Sequence, residues 1–187
     1  SKAPLRIGLA GGGTDVSPYS DQFGGAILNA SISLSAYATI EPLSEKKIII
    51  QAYDRNEKQE FDLQPSLPVD GTLDLLKAVY NRIQKDNAFD LHGFRLSTFV
   101  DAPAGSGLGT SSTLVVAVLG AFKEMLKLHY DEYKTAQLAY DIERNDLQLA
   151  GGKQDQYAAT FGGVNFMEFD THNKVIVNQL RIKPQYL

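Results

Sequence analysis

Apolar and polar residues alternate near both ends of the chain, and this pattern predicts strands because successive side chains of a strand point to opposite faces. In residues 4–10, for example, Leu5, Ile7 and Leu9 share one face. Strands are also expected over residues 26–40, 47–53, 58–63, 93–101, 163–169 and 174–182. Apolar residues at helical spacing predict helices over residues 72–86, 110–128 and 131–149, with a short one starting near Gly152. Strands and helices are mixed without strict alternation, so the expected fold class is α+β.

A glycine-rich stretch, PAGSGLGTSST at residues 103–113, is the most informative motif. Its three glycines, Gly105, Gly107 and Gly109, follow a predicted strand, and hydroxyl residues begin the next predicted helix. Glycine lets backbone N–H groups approach an anion closely, and the start of a helix adds partial positive charge. The motif therefore predicts a phosphate site. The alternative is a glycine-rich turn followed by a Ser or Thr helix cap.

This stretch differs from the two commonest phosphate-binding motifs. The Walker pattern requires a lysine directly before the hydroxyl residue, and none is present here. The dinucleotide-binding fingerprint has the spacing G-x-G-x-x-G, whereas this stretch has G-x-G-x-G. The predicted phosphate site therefore belongs to neither class.

Composition narrows the possible functions. The 187 residues, of which 43% are hydrophobic, suffice for one well-buried core but not for two full domains. The formal net charge is -4 and no basic stripe is present, which argues against nucleic acid as a partner. There is no cysteine, so disulfides and thiolate chemistry are excluded. The histidines, His92, His129 and His172, lack the spacing of metal ligands.

Membrane and export signals are not found in the sequence. No apolar run reaches the roughly 18 residues of a membrane span, and no signal-peptide pattern leads the chain. We therefore expect a cytoplasmic protein without a membrane partner. Nothing in the sequence indicates an oligomeric state.

Three segments in a fixed order resemble the GHMP kinase superfamily, which includes galactokinase, homoserine kinase, mevalonate kinase and phosphomevalonate kinase. They are APLRIGLAGGGTD at residues 3–15, the glycine-rich stretch, and GGKQDQYAATFGG at residues 151–163. The most specific part is the form P-x-x-x-G-L-G-x-S-S of the glycine-rich stretch.

The first segment indicates a branch of that superfamily. The run GLAGGGTDVSPYSDQFGGAILNASI resembles the D-glycero-D-manno-heptose 7-phosphate kinases, and fucokinase-type enzymes have a similar opening. Gly12 and Gly13 stand where the superfamily more usually has glutamate and histidine, which argues against galactokinase or mevalonate kinase proper.

The resemblance implies a fold and a reaction. Residues 1–187 would form the N-terminal, nucleotide-binding domain, a mixed sheet with a left-handed βαβ crossover packed by helices, and the usual C-terminal domain would be absent or truncated. The protein would use ATP and Mg²⁺ to phosphorylate the anomeric hydroxyl of a sugar phosphate, D-glycero-D-manno-heptose 7-phosphate, to the 1,7-bisphosphate. The alternatives are a fucokinase-like or other small-molecule kinase of the superfamily, or a non-catalytic protein of this fold that binds sugar and ATP.

The resemblance also implies which residues hold the nucleotide and the metal. Ser111 or Ser112 would ligate Mg²⁺, with Glu143 as a second ligand, because a carboxylate on a mostly apolar helix face needs a cation or a donor. The alternatives are a helix cap for the serines and an ion pair with Arg144 for the glutamate. The nucleotide phosphates would be bound by Gly105, Ser106, Gly107, Leu108, Gly109, Thr110, Ser111 and Ser112.

By the same resemblance, Asp155 would accept the proton of the substrate hydroxyl and Arg6 would neutralise charge on the transferring group. Without it, Asp155 is an acid at the start of a helix, and Arg6 is a surface residue on an edge strand.

Three residues near the start of the chain would bind the sugar. Asp15 and Thr14 would bond its hydroxyls and Gly25 would shape the pocket, although a local Asx turn also accounts for the aspartate. Candidates to meet the substrate phosphate are Lys153, Arg144 and Lys183.

Overall fold

A seven-stranded mixed sheet organises residues 1–90 and 92–183, the part of the chain that the computed structural model describes. The strand order is β4-β3-β5-β2-β6-β7, and β1 pairs with β2. The strands are β1 Lys2–Ala10, β2 Gly25–Pro42, β3 Lys47–Ala52, β4 Glu57–Asp62, β5 Phe94–Val100, β6 Val164–Phe169 and β7 Val175–Leu180. The helices are α1 Tyr19–Phe23, α2 Asp74–Asn87, α3 Thr110–Leu126, α4 Glu132–Asp141 and α5 Gln154–Phe161. The expected α+β class is confirmed.

The long strand β2 connects most of the sheet. It pairs antiparallel with β1 over residues 28–37, with β6 over residues 25–30 and with β5 over residues 36–42. The one parallel pair in the described residues is β3 with β5, and β4 and α2 lie between these two strands in sequence. The sheet is therefore mixed, as the family resemblance implies.

The main core lies where α3 packs on the sheet. This helix contacts β1, β2 and β5, and its run of apolar residues is buried on nearly every side, from Leu114 to Phe122. A helix that is apolar all round belongs in an interior rather than on a surface. The rings of Tyr80, Phe94 and Phe122 join α2, β5 and α3, with centroids 5.5 to 6.3 Å apart. This core holds the start of α3, and with it the glycine-rich stretch, in a fixed place.

None of the helices in residues 1–90 and 92–183 has both the length and the hydrophobicity needed to cross a bilayer.

Strand β1 leaves the core part-way along its length. Leu5 is fully buried, but Ile7 is 39% exposed and Leu9 is 54% exposed, although all three were expected on one face. Register shifts interrupt the pairing with β2 between Pro4 and Arg6 and again between Gly8 and Ala10. Such irregularities bend a strand and change its twist. Residues that alternate along β1 therefore do not all face the core, and Ile7 and Leu9 are exposed although Leu5 is buried.

The helix predicted over residues 131–149 is wrong in its second half. The α-helix ends at Asp141 and continues as a π-helical turn, Ile142–Asp146, which we call the π turn. The amide of Leu147, the residue directly after this turn, donates to the carbonyl of Ile142, five positions back, at 3.0 Å. Gln148 then has a positive φ of 54°, which ends the helix. A spacing of 3.6 residues cannot reveal a change to five-residue hydrogen bonding.

A buried lysine fixes the loop before α2. The ammonium group of Lys77 is completely buried and lies 2.5 Å from a carboxylate oxygen of Asp70 and 3.0 Å from one of Asp74. Asp74 also accepts from the amides of Asp70 and Gly71. A buried charge is tolerated when it is paired in this way, and breaking the pairing is costly. The loop thus has a defined shape where it borders α2.

The two neighbouring glycines Gly11 and Gly12 provide a matched test of the β1–α1 turn. Gly11 has a φ of +76°, and a Cβ there would lie 1.9 Å from the carbonyl oxygen of Ala26, whereas one on Gly12 would meet nothing within 4 Å. We expect Gly11→Ala to lower the free energy of unfolding by about 2–4 kcal/mol through left-handed strain and overpacking. Gly12→Ala should change it by less than about 0.5 kcal/mol. Denaturant unfolding measures both, and equal effects would contradict the packing described here.

Candidate active site

The glycine-rich stretch forms a loop that leads directly into α3. Gly105, Gly107 and Gly109 all have left-handed backbones, with φ of 80°, 76° and 76°. Gly109 is the N-cap of α3, and no side-chain cap bonds this helix end within the described residues. The Ser or Thr helix cap considered from the sequence is therefore wrong. The first amides of the helix remain available for another acceptor.

Open space lies in front of this loop. A Cβ on Gly105 or Gly107 would meet no atom of the described chain within 4 Å, whereas one on Gly109 would lie 3.2 Å from the carboxyl carbon of Asp155. Gly105 and Gly107 are therefore required because of their left-handed backbone conformation. Gly109 is required for the same reason and also because Asp155 lies close to it. An anion can approach the loop amides from the open side, so the loop fits a phosphate group.

A cavity of about 420 Å³ lies between the loop and the π turn. It brings together most of the residues that the sequence singles out for phosphate, metal and catalysis. Its walls include Arg6, Gly105, Gly107, Gly109, Thr110, Ser111, Ser112, Glu143, Arg144, Gly151, Gly152 and Asp155. Ser106 and Leu108 belong to the loop but are not part of these walls; the carbonyl of Leu108 accepts from the amide of Arg6 at 3.2 Å, and its side chain packs on the core.

Arg6 and Asp155 form an ion pair at the floor of the cavity. Nε and Nη2 of Arg6 lie 2.7 and 2.6 Å from Oδ1 of Asp155. Nη1 donates to the carbonyl of Gly107 at 2.6 Å. Only 12% of the arginine side chain and 24% of the aspartate side chain are exposed. The interpretation of Arg6 as a solvated surface arginine is therefore wrong: it joins β1, the loop and the first turn of α5.

Glu143 is a buried acid beside the start of α3. Its residue is 1% exposed, and Nε2 of Gln156 donates both to its Oε2 and, at 3.0 Å, to Oγ of Ser112. Arg144 approaches only to 3.9 Å, so an ion pair is a minor part of its surroundings. Burial raises the pKa of Glu143 above its ordinary value of 4.5, although hydrogen bonds from Gln156 and Ser112 oppose the rise.

The oxygens of Ser112 and Glu143 fit a magnesium ion that is shared with phosphates. Mg²⁺ prefers oxygen ligands and is usually held by one or two carboxylates together with phosphate groups. Among residues 1–90 and 92–183, no group of three or more His, Cys, Asp or Glu side chains could hold a metal ion by itself. The donor set therefore suits a metal that arrives with a phosphate ligand.

Gln156 is the residue that sequence reasoning missed. Its side chain is completely buried and connects the serine of α3 to the glutamate of the π turn. A signal was available, because Gln156 lies three positions before Ala159 on the buried face of α5. A long polar side chain on such a face requires partners.

Asp15 supports the start of α5 from a distant part of the chain. Its Oδ2 accepts from the amides of Lys153 and Gln154 at 2.7 and 2.9 Å, so the local Asx turn considered from the sequence is wrong. A Cβ on Gly152 would lie 2.0 Å from that oxygen, so only glycine fits there. The other oxygen, Oδ1, is buried without a hydrogen-bond partner in the described residues. A buried acceptor of this kind is costly unless something donates to it.

Thr14 and Gly25 lie beside Asp15 but outside the loop cavity. Oγ1 of Thr14 donates to the carbonyl of Gly11 at 2.8 Å and accepts from the amide of Ala26 at 3.1 Å. A Cβ on Gly25 would lie 2.2 Å from the carbonyl oxygen of Thr14. Both residues line a separate cavity of about 690 Å³. Their first role is thus to fix the turn that carries Asp15.

The three basic residues considered for binding the substrate phosphate lie in different parts of the structure. Arg144 lines the loop cavity, and its Nη2 lies 3.4 Å from the carbonyl of Gly152. Lys153 is buried and donates to Oδ1 of Asn173 at 2.7 Å, away from the loop. Lys183 is exposed beyond the end of β7. Of the three, Arg144 is the one that the structure brings to the glycine loop.

Comparison with known proteins identifies the class to which this site belongs. Residues 74–163 match the family described as GHMP kinases N terminal domain. The chain carries a GHMP kinase N-terminal domain, as its resemblance predicts.

Individual relatives are close in sequence and structure. The chain is 53% identical, over 98% of its length, to D-glycero-alpha-D-manno-heptose 7-phosphate kinase of Campylobacter jejuni, of which it covers 54%. A solved structure of a D-glycero-D-manno-heptose 1-phosphate kinase from Bacteroides thetaiotaomicron is 56% identical with a TM-score of 0.96, over 98% of this chain and 60% of that one. L-fucokinase/L-fucose-1-P guanylyltransferase of Bacteroides fragilis is more distant, 30% identical over 89% of this chain and 20% of its own length. The chain thus spans little more than half of its nearer relatives.

The raised pKa of Glu143 predicts a stability effect that depends on pH. The folded state favours the protonated carboxyl, so this group's contribution to stability is fully present below pH 4.5 and is lost as pH rises through the folded-state pKa. Glu143→Gln keeps a neutral group of similar shape. It should therefore raise the melting temperature at neutral pH, and the gain should vanish below pH 4.5.

A second glutamate provides the control for that measurement. Lys47 holds the pKa of Glu60 below its usual value through a hydrogen bond, so Glu60→Gln should bring no gain at neutral pH. Thermal unfolding of both variants across the pH range tests the comparison. A melting temperature of Glu143→Gln equal to or below that of the wild type at neutral pH would show that the ionised carboxylate is well accommodated.

Proposed function

We propose that the protein is a kinase that transfers the γ-phosphoryl group of ATP to the anomeric hydroxyl of D-glycero-D-manno-heptose 7-phosphate, giving the 1,7-bisphosphate. One observation carries the proposal: a phosphate-binding loop, a buried glutamate and an arginine-paired aspartate face a single cavity. Phosphoryl transfer needs positioned charge more than covalent chemistry, and these are the groups that supply it. The heptose phosphate kinases among the relatives support the choice of substrate.

In this proposal the nucleotide phosphates lie against the loop amides from Gly105 to Ser112. The open space at Gly105 and Gly107 lets an anion approach these amides closely, and the α3 dipole adds positive charge there. Arg144, on the opposite wall, adds a full positive charge. The chain's net negative charge is thereby offset locally at the place where the phosphates bind.

An adjoining apolar cavity suits the base of the nucleotide. It has a volume of about 300 Å³ and shares Leu149 with the loop cavity. Leucines dominate its walls, and the loop held by Lys77 closes one side. Small-molecule sites are typically apolar with a few polar groups at the edge. A nucleotide can therefore place its base among these leucines while its phosphates reach the glycines.

Ser112 and Glu143 are the residues that would hold Mg²⁺, with Ser111 as an alternative hydroxyl. Bound there, Mg²⁺ neutralises charge on the phosphate oxygens. Gln156 orients both protein ligands by donating to each. The burial of Glu143 disfavours its charge until a cation is near, so the site is suited to taking up the metal together with the nucleotide.

Asp155 is the proposed base and Arg6 its electrostatic partner. The anomeric hydroxyl oxygen forms a bond to the γ-phosphorus, the bond from phosphorus to the β-bridging oxygen breaks, and ADP leaves. The hydroxyl proton passes to Asp155. Oδ1 of Asp155 is paired with Arg6, while Oδ2 faces Gly109 and the loop. The arginine also lies against the carbonyl of Gly107, so its charge is close to the transferring group.

Asp15 is the proposed sugar contact, with Thr14 and Gly25 fixing its turn. The buried Oδ1 of Asp15, which has no donor in the described residues, is suited to accept from a sugar hydroxyl.

The names of the two heptose kinases differ in the position of the phosphate. ADP release should therefore be measured with the heptose 7-phosphate, the 1-phosphate and fucose. Turnover with the 1-phosphate or fucose alone would overturn the proposed substrate.

Asp155→Asn should bind ATP and sugar phosphate nearly normally but lose about 10²- to 10⁴-fold in turnover, since an amide cannot accept the proton. Arg6→Ala should slow turnover by a similar factor, and the double variant should lose less than the product of the two because the residues act as a unit. Asp131→Asn, which removes a helix-capping acid outside the cavity, is the control. Steady-state kinetics measure turnover, and calorimetry measures the affinities for ATP and sugar phosphate. Wild-type turnover in Asp155→Asn would show that Asp155 is not the base.

Gly107 and Gly163 form a matched pair for testing the loop. Both have left-handed φ, 76° and 73°, and a Cβ on either would meet nothing within 4 Å. Alanine should therefore cost similar stability at each, about 1–2 kcal/mol. Gly107→Ala should also lower ATP affinity more than about tenfold, because its methyl group occupies the space of the phosphates, whereas Gly163→Ala should leave affinity intact. Equal ATP affinities in calorimetric titration would contradict the proposed phosphate site.

A further inference from the structure

The π turn presents both Glu143 and Arg144 to the loop cavity, and a residue outside the cavity contacts carboxylates at both ends of the turn. Asp141 lies immediately before the turn and Asp146 ends it. Both carboxylates face Arg82 on α2. Arg82 does not line the loop cavity and is remote from it along the chain.

Arg82 makes its strongest contact with the end of the π turn. Its Nη1 lies 2.7 and 2.6 Å from the two carboxylate oxygens of Asp146, and its Nη2 lies 3.8 Å from Oδ2 of Asp141. Its Nε donates to Asp86 on its own helix at 3.0 Å. The side chain is 19% exposed, so these charges are partly shielded from water. Charge-assisted contacts in such surroundings are stronger than neutral ones.

The geometry of the π turn explains why one arginine reaches both aspartates. On an α-helix, neighbours on one face are three or four positions apart, but Asp141 and Asp146 are five apart. The bond from the amide of Leu147 to the carbonyl of Ile142 also spans five positions, and it brings residues at that spacing to one side. In the π form, Arg82 thus contacts both aspartates.

We propose that Arg82 is a positioning residue of the metal and nucleotide site: by holding Asp141 and Asp146, it keeps the π turn in the form that presents Glu143 and Arg144. The roles of Glu143 and Arg144 in binding metal and nucleotide rest on the proposed function. The contact of Arg82 with the π turn rests on the geometry alone. Outer partners of metal ligands commonly change metal affinity by 10- to 100-fold. Arg82 acts one step further out, through the backbone.

Hydrogen–deuterium exchange tests how the turn is held, without any nucleotide. The amides of Leu147 and Leu149 bond to the carbonyls of Ile142 and Glu143, so their exchange reports on the π turn. In the full-length protein, Arg82→Gln should speed exchange at both amides at least about tenfold by raising the open fraction. Asp146→Asn, a second route to the same loss, should act alike. Asp86→Asn removes a partner of Arg82 on its own helix and should leave both rates unchanged.

The Mg²⁺ dependence of ATP binding tests what the turn presents. We expect Arg82→Gln to raise the Mg²⁺ concentration for half-maximal ATP binding about tenfold, the lower end for outer partners of a ligand. Glu143→Gln should raise it at least as much, and adding Arg82→Gln to that variant should raise it no further. Arg82→Lys should be intermediate, since an ammonium cannot match both aspartates as the planar guanidinium does. Asp86→Asn should match the wild type.

Three results would overturn the inference. Unchanged exchange at Leu147 and Leu149 in Arg82→Gln and Asp146→Asn would show that the turn holds without this contact. If Arg82→Gln speeds exchange but leaves the Mg²⁺ dependence of ATP binding unchanged, Arg82 stabilises the turn without affecting the metal and nucleotide site. Additive effects of Arg82→Gln and Glu143→Gln would show that Arg82 acts elsewhere. A wild-type protein that binds no ATP would instead overturn the proposed function, while the exchange rates would still decide how the turn is held.

Discussion

The ion pair between Arg6 and Asp155 is the contact on which the arrangement of the site depends. It joins three parts of the chain that are far apart in sequence: β1, the glycine-rich loop and α5. Because the arginine also bonds the carbonyl of Gly107, the loop cannot shift without disturbing the pair. The close approach of Asp155 to Gly109 has the same effect from the other side. The ion pair and its bond to Gly107 thus join the parts of the chain that form the cavity.

Much of the fold could be predicted from local patterns. The apolar run that begins after Ser112 specifies a buried helix, and the loop before it could be recognised from its glycine spacing. The seven strands were also expected, β1 from alternation and β2 and β3 from runs rich in Ile, Ala and Tyr. What failed depends on contacts that periodicity does not encode. The exposure of Ile7 and Leu9 follows from register shifts against β2, and the π turn follows from a five-residue hydrogen bond.

In the site as well, residue types could be predicted from the sequence, whereas their long-range contacts could not. Arg6, Glu143 and Asp155 could be singled out from residue type and order, but their partners lie up to 149 positions away. Gln156, which connects the serine of α3 to the π turn, was not recognised because a glutamine has no titratable chemistry to attract notice. The local turn considered as an alternative for Asp15 is wrong because its side chain bonds backbone amides at the start of α5. Long-range polar contacts of this kind are visible only once the chain is folded.

The contact of Asp15 with α5 has a consequence for how the proposed kinase could change its substrate. One oxygen of this carboxylate accepts from the first amides of the helix on which Asp155 lies, and the other is buried without a donor in the described residues. In the proposed kinase, a mutation of Asp15 that alters sugar recognition also removes the support of the helix that carries Asp155. The proposed function therefore ties sugar affinity and turnover together at this position, and a new sugar preference would be acquired at other residues, where recognition can vary without moving α5.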